Sequence, residues 1–219
     1  MTLAKRRIRS SALTATSRSS PGARTRRAGR ATATRVVEAA RAVLIEQGYP
    51  GFTMRNVAAR AGVHLANVQY YFRRREHLIR ALLDETAAHY RNTYAALLAN
   101  LPTDPQRRFL AVLDYNLGDV TTAPTRRYFT QLWALLDAAD ASGELLAELY
   151  ALDLQQLGEQ ICALCPREPA KEIRRRATLL AAMIEGLLLV HGAHGAAGKG
   201  RLLRRARALG LAIARGFEG

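Results

Sequence analysis

From Thr32 onward, apolar side chains return at helical spacing almost without a break, and no run alternates apolar and polar residues long enough to argue for a sheet. Val36, Ala40, Val43 and Leu44 share one helical face, which Gly48 ends. Leu78, Ile79, Leu82, Leu83, Ala87, Tyr90, Tyr94, Leu97 and Leu101 keep a period of about 3.6 residues until Pro102 stops them. In Thr103-Asp104-Pro105-Gln106 a capping oxygen precedes a first-turn proline, the mark of a helix start. Further helices are expected over residues 105–119, 124–141, 143–164, 169–191 and 201–217. The pattern predicts an all-α fold.

Between the first helix and the long one, residues 53–78 read TMRNVAARAGVHLANVQYYFRRREHL, a spacing that fits a helix-turn-helix. Ala58 is small enough for two helices to cross, Gly62 supplies a left-handed turn, and Val68 plugs the angle between them. Val57, Ala61, Val63 and Phe72 face a small core, which leaves Arg55, His64, Asn67, Gln69, Tyr70 and Tyr71 pointing outward. A helix with such an outer face can enter a major groove, where amides pair with adenine edges and arginine with guanine. Arg73-Arg74-Arg75 then stands where a recognition helix runs out onto phosphates. The bland alternative is a solvated helical hairpin.

Charge separates the two readings. Of 33 basic and 18 acidic side chains, residues 1–30 carry nine basic and no acidic ones, and residues 31–80 carry eight and three. Hence +14 of the net +15 lies in the first 80 residues, the concentration expected of a polyanion-binding end.

With these residues in view, the chain resembles a TetR-family transcriptional regulator. The similar run begins at Arg35 and includes the Gly48-Tyr49 end of the first helix and the exit signature Tyr71-Phe72-x-x-Arg75-Glu76-x-Leu78. A looser likeness continues through Gln131-Leu132-Trp133 and Ile184-Glu185-Gly186-Leu187. The resemblance implies an N-terminal three-helix DNA-binding domain over residues 31–77 and a helical ligand-binding and dimerisation domain over residues 78–219. By position, Thr53, Tyr71 and Arg75 would touch phosphates, while Arg55, Leu65, Asn67 and Gln69 would face base edges, with His64 and Tyr70 beside them. The family usually has lysine at Arg75 and tyrosine at Gln69. Arginine still reaches phosphate, but glutamine can read adenine, so the operator sequence cannot be borrowed from relatives.

The same resemblance makes the segment after the reading head an inducer-binding domain. Tyr115, Asn116, Phe129, Trp133, Asp137, Tyr150 and Met183 are the candidate pocket residues, although aromatics at helical spacing also serve as ordinary core. The expected action is repression relieved by a small-molecule inducer that prefers a conformation with wrongly spaced recognition helices, the long fourth helix transmitting the change. Two apolar stripes, Leu180, Met183, Ile184, Leu187, Leu188 and Leu202, Ala206, Leu209, Ile213, Phe217, are expected in a homodimer interface made by the last two helices. Gly186 and Gly210 would allow close approach. Symmetry would set two recognition helices about 34–36 Å apart on a palindrome in double-stranded DNA.

Residues 1–30 are rich in Arg, Ser, Thr and Ala, contain Pro21-Gly22, and are expected to form a disordered basic arm. Their Arg6-Arg7 and Arg26-Arg27 pairs imitate a targeting signal, but no apolar run follows either pair. The most apolar segment, residues 177–190, is interrupted by Glu185, so a buried helix is expected instead of a membrane span, in a cytoplasmic protein. Cys162, Cys165, His191 and His194 number the ligands of a tetrahedral zinc site, yet their spacing is unlike a zinc finger's, and no metal or cofactor is assigned. There is no phosphate-binding glycine loop, nucleophile elbow or His-Glu-x-x-His motif, which argues against an enzyme. A non-specific basic architectural DNA-binding protein is the alternative.

Overall fold

The computed structural model describes residues 21–139, 142–191 and 195–216. Among them are nine helices: α1 Pro21–Gly51, α2 Met54–Ala61, α3 Leu65–Tyr71, α4 Arg75–Ala99, α5 Pro105–Asp119, α6 Ala123–Asp137, α7 Ser142–Leu164, α8 Ala170–Val190 and α9 Gly195–Arg215. Sequence signals account for most of the boundaries. Thr53 caps α2 by accepting the Asn56 N–H, and Asp104 caps α5 by accepting the N–H groups of Gln106 and Arg107. Thr122 caps α6 in the same way, and both α5 and α6 have proline in the first turn.

Three boundaries depart from the pattern. Helix α1 starts at Pro21 rather than near Thr32, so the end of the expected arm is helical. Pro21-Gly22 reads as a breaker, but proline at a first helical position loses no hydrogen bond, and the Ala and Arg residues that follow favour helix. Helix α9 likewise begins at Gly195 instead of Arg201, carrying the glycine-rich stretch within it. Helix α6 ends at Asp137, short of residue 141. Residues 1–20, His194 and Phe217 lie outside the described residues.

Two apolar clusters organise the chain. The first joins α1, α2 and α3 through Val36, Val43, Leu44, Phe52, Val57 and Val68, and extends into Leu78, Ile79 and Leu82 of α4 and Tyr128, Leu132 and Leu135 of α6. The second packs α5, α7, α8 and α9 around Phe109, Leu117, Leu157, Ile161, Leu180 and Ile213. Phe129 touches both.

The second cluster corrects the expected dimer stripes. Leu180, Ile184, Leu187, Leu188, Ala206 and Ile213 are buried within their own subunit, and Met183 and Leu202 pack against the same core. Gly210 serves this internal packing too, because a Cβ there would stand 2.8 Å from Leu113 Cδ2. Helix α8 is apolar on two faces, and the stripe chosen from sequence is the inner one. The outer one is Leu179, Ala182, Gly186, Leu189 and Val190, of which Leu179, Leu189 and Val190 are more than half exposed.

Gly62 ends α2 with φ 64° and ψ 38°, and its N–H reaches the carbonyls of Ala58 and Ala59. A Cβ at this position would meet nothing within 4 Å, so only the backbone conformation penalises a side chain. Gly62→Ala is therefore expected to lower stability by about 1–2 kcal/mol, and Gly62→Asn by less, as measured by chemical denaturation.

Candidate nucleic-acid interface and ligand cavity

Helix α3 is short and amphipathic, and its inner side is fixed by Val68, which is wholly buried. Leu65 and Tyr71 also pack against the head's core, so these two expected contact residues are half-buried rather than free. Helical geometry explains both: they lie on the turns either side of Val68 and share its face. The Tyr71 ring also covers Gly29 of α1, where a Cβ would sit 3.4 Å from the phenolic oxygen. The opposite side presents His64, Asn67, Gln69 and Tyr70, all exposed, with Tyr70 at 79% the most exposed large hydrophobic side chain of the head.

Cations flank this face. Arg55 on α2 and Arg73 and Arg74 after α3 are exposed, whereas Arg60 pairs with Glu46 at 3.0 Å. Arg75 is partly committed: its Nε donates to the Phe52 carbonyl at 3.3 Å and its guanidinium lies over the Phe52 ring. Thr53 is likewise shared, since Oγ1 accepts the Asn56 N–H at 3.1 Å while its own proton is left for an outside acceptor. The arrangement gives a polar helix face with positive charge at its rim, the chemistry of groove reading flanked by phosphate contacts.

A cavity lies among α4, α5, α6, α7 and α8, with about 80 Å³ of water-accessible space. Asn116, Phe129, Trp133 and Tyr150 of the sequence-derived candidates line it. The other three do not. Tyr115 stacks edge-on against Tyr90 and Tyr94, Asp137 is exposed and lines a second, neighbouring cavity with Trp133 and Tyr150, and Met183 packs near Gly210. Helical direction separates these residues, because each stands on a neighbouring turn but a different face.

Sequence reasoning missed Tyr90, Asp153, Gln156 and Glu185. Asp153 was legible: in the ladder Leu145, Leu149, Asp153, Leu157 and Ile161, every other member is buried and apolar. Burial pushes its carboxyl up to about 6. Glu185 is also raised, first by burial and further by Asp153, while the Tyr150 hydroxyl, donating to Oε2 at 3.1 Å, opposes the shift. The Tyr150 phenol itself is pushed up to about 12, chiefly by burial and then by Glu185.

The remaining cluster stays apart from this cavity. Cys165 Sγ donates to the Ala214 carbonyl at 3.7 Å, Cys162 is exposed, and His191 Nδ1 lies 2.9 Å from the Leu187 carbonyl. Among the described residues, no group of three or more His, Cys, Asp and Glu is arranged to hold a metal, and no helix is long and apolar enough to cross a membrane.

Because the folded state holds the Asp153 proton more tightly than the unfolded chain, this group's contribution to stability is complete below about pH 4 and is lost as pH rises through about 6. Asp153→Asn should therefore be more stable than the parent at about pH 7.5 by a few kcal/mol at most. Urea unfolding at about pH 7.5 and pH 5 should show that margin narrowing at the lower pH. A margin independent of pH would contradict the raised carboxyl.

Comparison with known proteins places these features together. The family model for bacterial regulatory proteins of the tetR family matches residues 36–82, the run from α1 into α4. The HTH-type transcriptional regulator BetI of Burkholderia cenocepacia is 30% identical over 151 residues, covering 66% of this chain and 73% of that protein. Among solved structures, a transcriptional regulator from Pseudomonas aeruginosa PAO1 aligns with a TM-score of 0.65 at 18% identity, covering 94% of this chain and 95% of the other. The multidrug binding protein EbrR, complexed with malachite green, aligns with a TM-score of 0.61 at 22% identity, covering 83% and 96%. At such identities the two structures speak for the fold, while the model match and the relative carry the lineage. With its exposed polar helix face and cationic rim, the chain belongs to the tetR family of bacterial regulatory proteins, transcriptional regulators that act by binding DNA rather than by catalysis.

Proposed function

We propose that the protein binds a two-fold-symmetric operator as a homodimer and represses transcription in the bacterial cytoplasm until a small molecule occupies the α4–α8 cavity. The observation that carries this reading is that two helices both wall the cavity and hold the reading head. Helix α4 brings Thr86 and Tyr90 to the cavity and buries Leu78, Ile79 and Leu82 in the head's cluster. Helix α6 brings Phe129 and Trp133 to the cavity and buries Tyr128, Leu132 and Leu135 in that cluster. A ligand that shifts either helix must move the head or strain its packing. The ligand-bound structure of EbrR supports the same general use of the fold.

On the DNA side, Asn67, Gln69 and Tyr70 would face base edges, joined by Arg55 and His64 at the margin. Arg73, Arg74, the Thr53 hydroxyl and the free nitrogens of Arg75 would meet phosphates. The outer face of α8, built on Leu179, Ala182, Gly186 and Leu189, together with the 45%-exposed Leu209 of α9, would form the dimer contact. Small residues at Ala182 and Gly186 let a partner helix approach, and the exposed leucines supply apolar area.

Fluorescence anisotropy at about 150 mM salt tests sequence selection, using DNA from upstream of the protein's own gene against a shuffled fragment. A preference of about a thousandfold is expected. Gln69→Ala and Asn67→Ala should each erode it by about 1–3 kcal/mol per lost base contact, whereas Arg74→Ala should weaken both fragments alike. Equal, salt-sensitive binding to every fragment offered, including promoter-wide pools, would instead favour the architectural reading. Leu189→Arg should give a folded monomer by light scattering, with operator affinity reduced on the order of a hundredfold as the second half-site is lost.

A further inference from the structure

We propose that the α4–α8 cavity is a site for a small organic ammonium ion, with Asp153 and Glu185 as counter-charges and Tyr90, Phe129, Trp133 and Tyr150 as an aromatic wall. This deepens the reading of the protein as a ligand-responsive regulator and rests on it only for the biological consequence of binding.

Two carboxyl groups face one partly open cavity, and none of the residues lining it is Lys, Arg or His. Among the described residues, Asp153 has no hydrogen-bond donor and no cation beside it, and Glu185 is partnered only by the Tyr150 hydroxyl. A half-buried acid without a charged partner is still costly, and natural structures ordinarily neutralise such a group with a fixed Arg or Lys. Arg80 of α4 is held by Glu144 and Glu148, and Arg41 of α1, a helix outside the cavity wall, by Glu85 and the Tyr128 ring. The positive charge missing from the cavity is therefore one a ligand can bring.

The walls narrow the class of cation. Tyr90 and Phe129 stand with ring centroids 6.3 Å apart, Phe129 and Trp133 also 6.3 Å apart, and Tyr150 joins them at the cavity. Aromatic faces around a carboxylate suit an ammonium ion carrying carbon substituents: the rings take the diffuse charge and the methyl or methylene groups together. A strongly hydrated metal ion would need oxygen ligands on several sides and would gain little from these rings.

Two further atoms lack partners. Gln156 Oε1 is buried and accepts no hydrogen bond, and the buried Trp133 indole N–H lies near the Tyr150 hydroxyl but outside hydrogen-bonding geometry. Both line the cavity. An acceptor and a donor left open in this way fit a ligand that carries a polar group, such as a hydroxyl, beyond its cationic head.

The groups packed around Asp153 fix how binding should respond to pH. Tyr90 and Tyr94 approach from α4, Tyr150 stands on the same helix, and Glu185 comes from α8, while α5 and α6 turn Asn116, Phe129 and Trp133 to the cavity. The tyrosines remain neutral throughout the range in which Asp153 ionises. Affinity for a cation should therefore rise between about pH 5.5 and pH 7.5, as the Asp153 carboxyl loses its proton.

Isothermal titration calorimetry on the full-length protein without DNA tests the site, using tetramethylammonium, choline and benzyltrimethylammonium, with neohexanol as choline's uncharged carbon isostere. At least one of these cations should bind, choline should exceed neohexanol by roughly tenfold or more, and Asp153→Asn should remove most of that advantage. Because Asp153→Asn is expected to be the more stable protein, its loss of binding would not reflect unfolding, and Glu185→Gln provides an independent second variant. No binding by any of the cations, equal binding of choline and neohexanol, or full affinity in both variants would overturn the proposal. A cation that binds but leaves the operator complex intact would uphold the site and count against ligand-released repression instead.

Discussion

Burial of Tyr128 is the interaction on which the arrangement turns. This α6 side chain is 1% exposed and lies inside the cluster that forms the DNA-reading head. Thr86 donates to the Leu82 carbonyl at 2.8 Å, so the Tyr128 hydroxyl is the donor in its 2.5 Å contact with Thr86 Oγ1. The Arg41 guanidinium lies 4.5 Å from the Tyr128 ring centre and pairs with Glu85 at 3.3 Å. One phenol thus joins α1, α4 and α6. Burial pushes its ionisation up to about 12, so it remains a neutral donor at any physiological pH. This knot adds a polar tie to the apolar contacts that Leu132 and Leu135 make in the same cluster.

A second fastening lies at the end of the first helix. Gly48 takes φ 70°, and a Cβ there would fall 2.7 Å from Gln131 Oε1. Because glycine permits the approach, Gln131 accepts the Tyr49 N–H at 2.9 Å. The end of α1 is thereby held in register against α6, on the same helix whose Phe129 and Trp133 border the cavity. The long fourth helix, which the family resemblance makes the transmitter, would share that role with α6.

What could be read from the chain follows from how local each signal is. Gly62, the capping oxygen before Pro105, and the Ala58-Gly62-Val68 spacing act over a few residues, and the structure places each where the pattern puts it. Single-helix periodicity gives the apolar faces, but it cannot say which neighbour each face meets. Helix α8 has two apolar faces, and only packing tells the inner Leu180 and Ile184 from the outer Leu179 and Leu189. The cavity is harder still, since it is assembled from five helices and an aromatic residue looks alike whether it fills a core or borders a space. Phe129 and Trp133 were legible because they are aromatic, whereas Tyr115 failed because its ring turns toward Tyr90 and Tyr94 instead. Asp153 could have been found by asking which position in a buried ladder carries charge. That question picks out function where hydrophobicity alone picks out packing.

These fastenings also decide how much a ligand can accomplish. Coupling between sites is commonly about 1–3 kcal/mol, so a modest bias is enough provided the intervening elements cannot absorb it. A loosely tethered head would let a shift of α6 dissipate in side-chain rearrangement. Here the Tyr128 knot and the Gly48–Gln131 contact engage the head at two separate places on α1, one near mid-helix at Arg41 and one at its end. A helix held at two points cannot follow α6 at one of them without turning as a body. In a symmetric dimer that rotation would occur at both heads and change the distance between them, the quantity to which paired half-sites one helical turn apart are most sensitive. By reciprocity, a bound operator would resist the same rotation and so weaken whatever the cavity binds by the same factor.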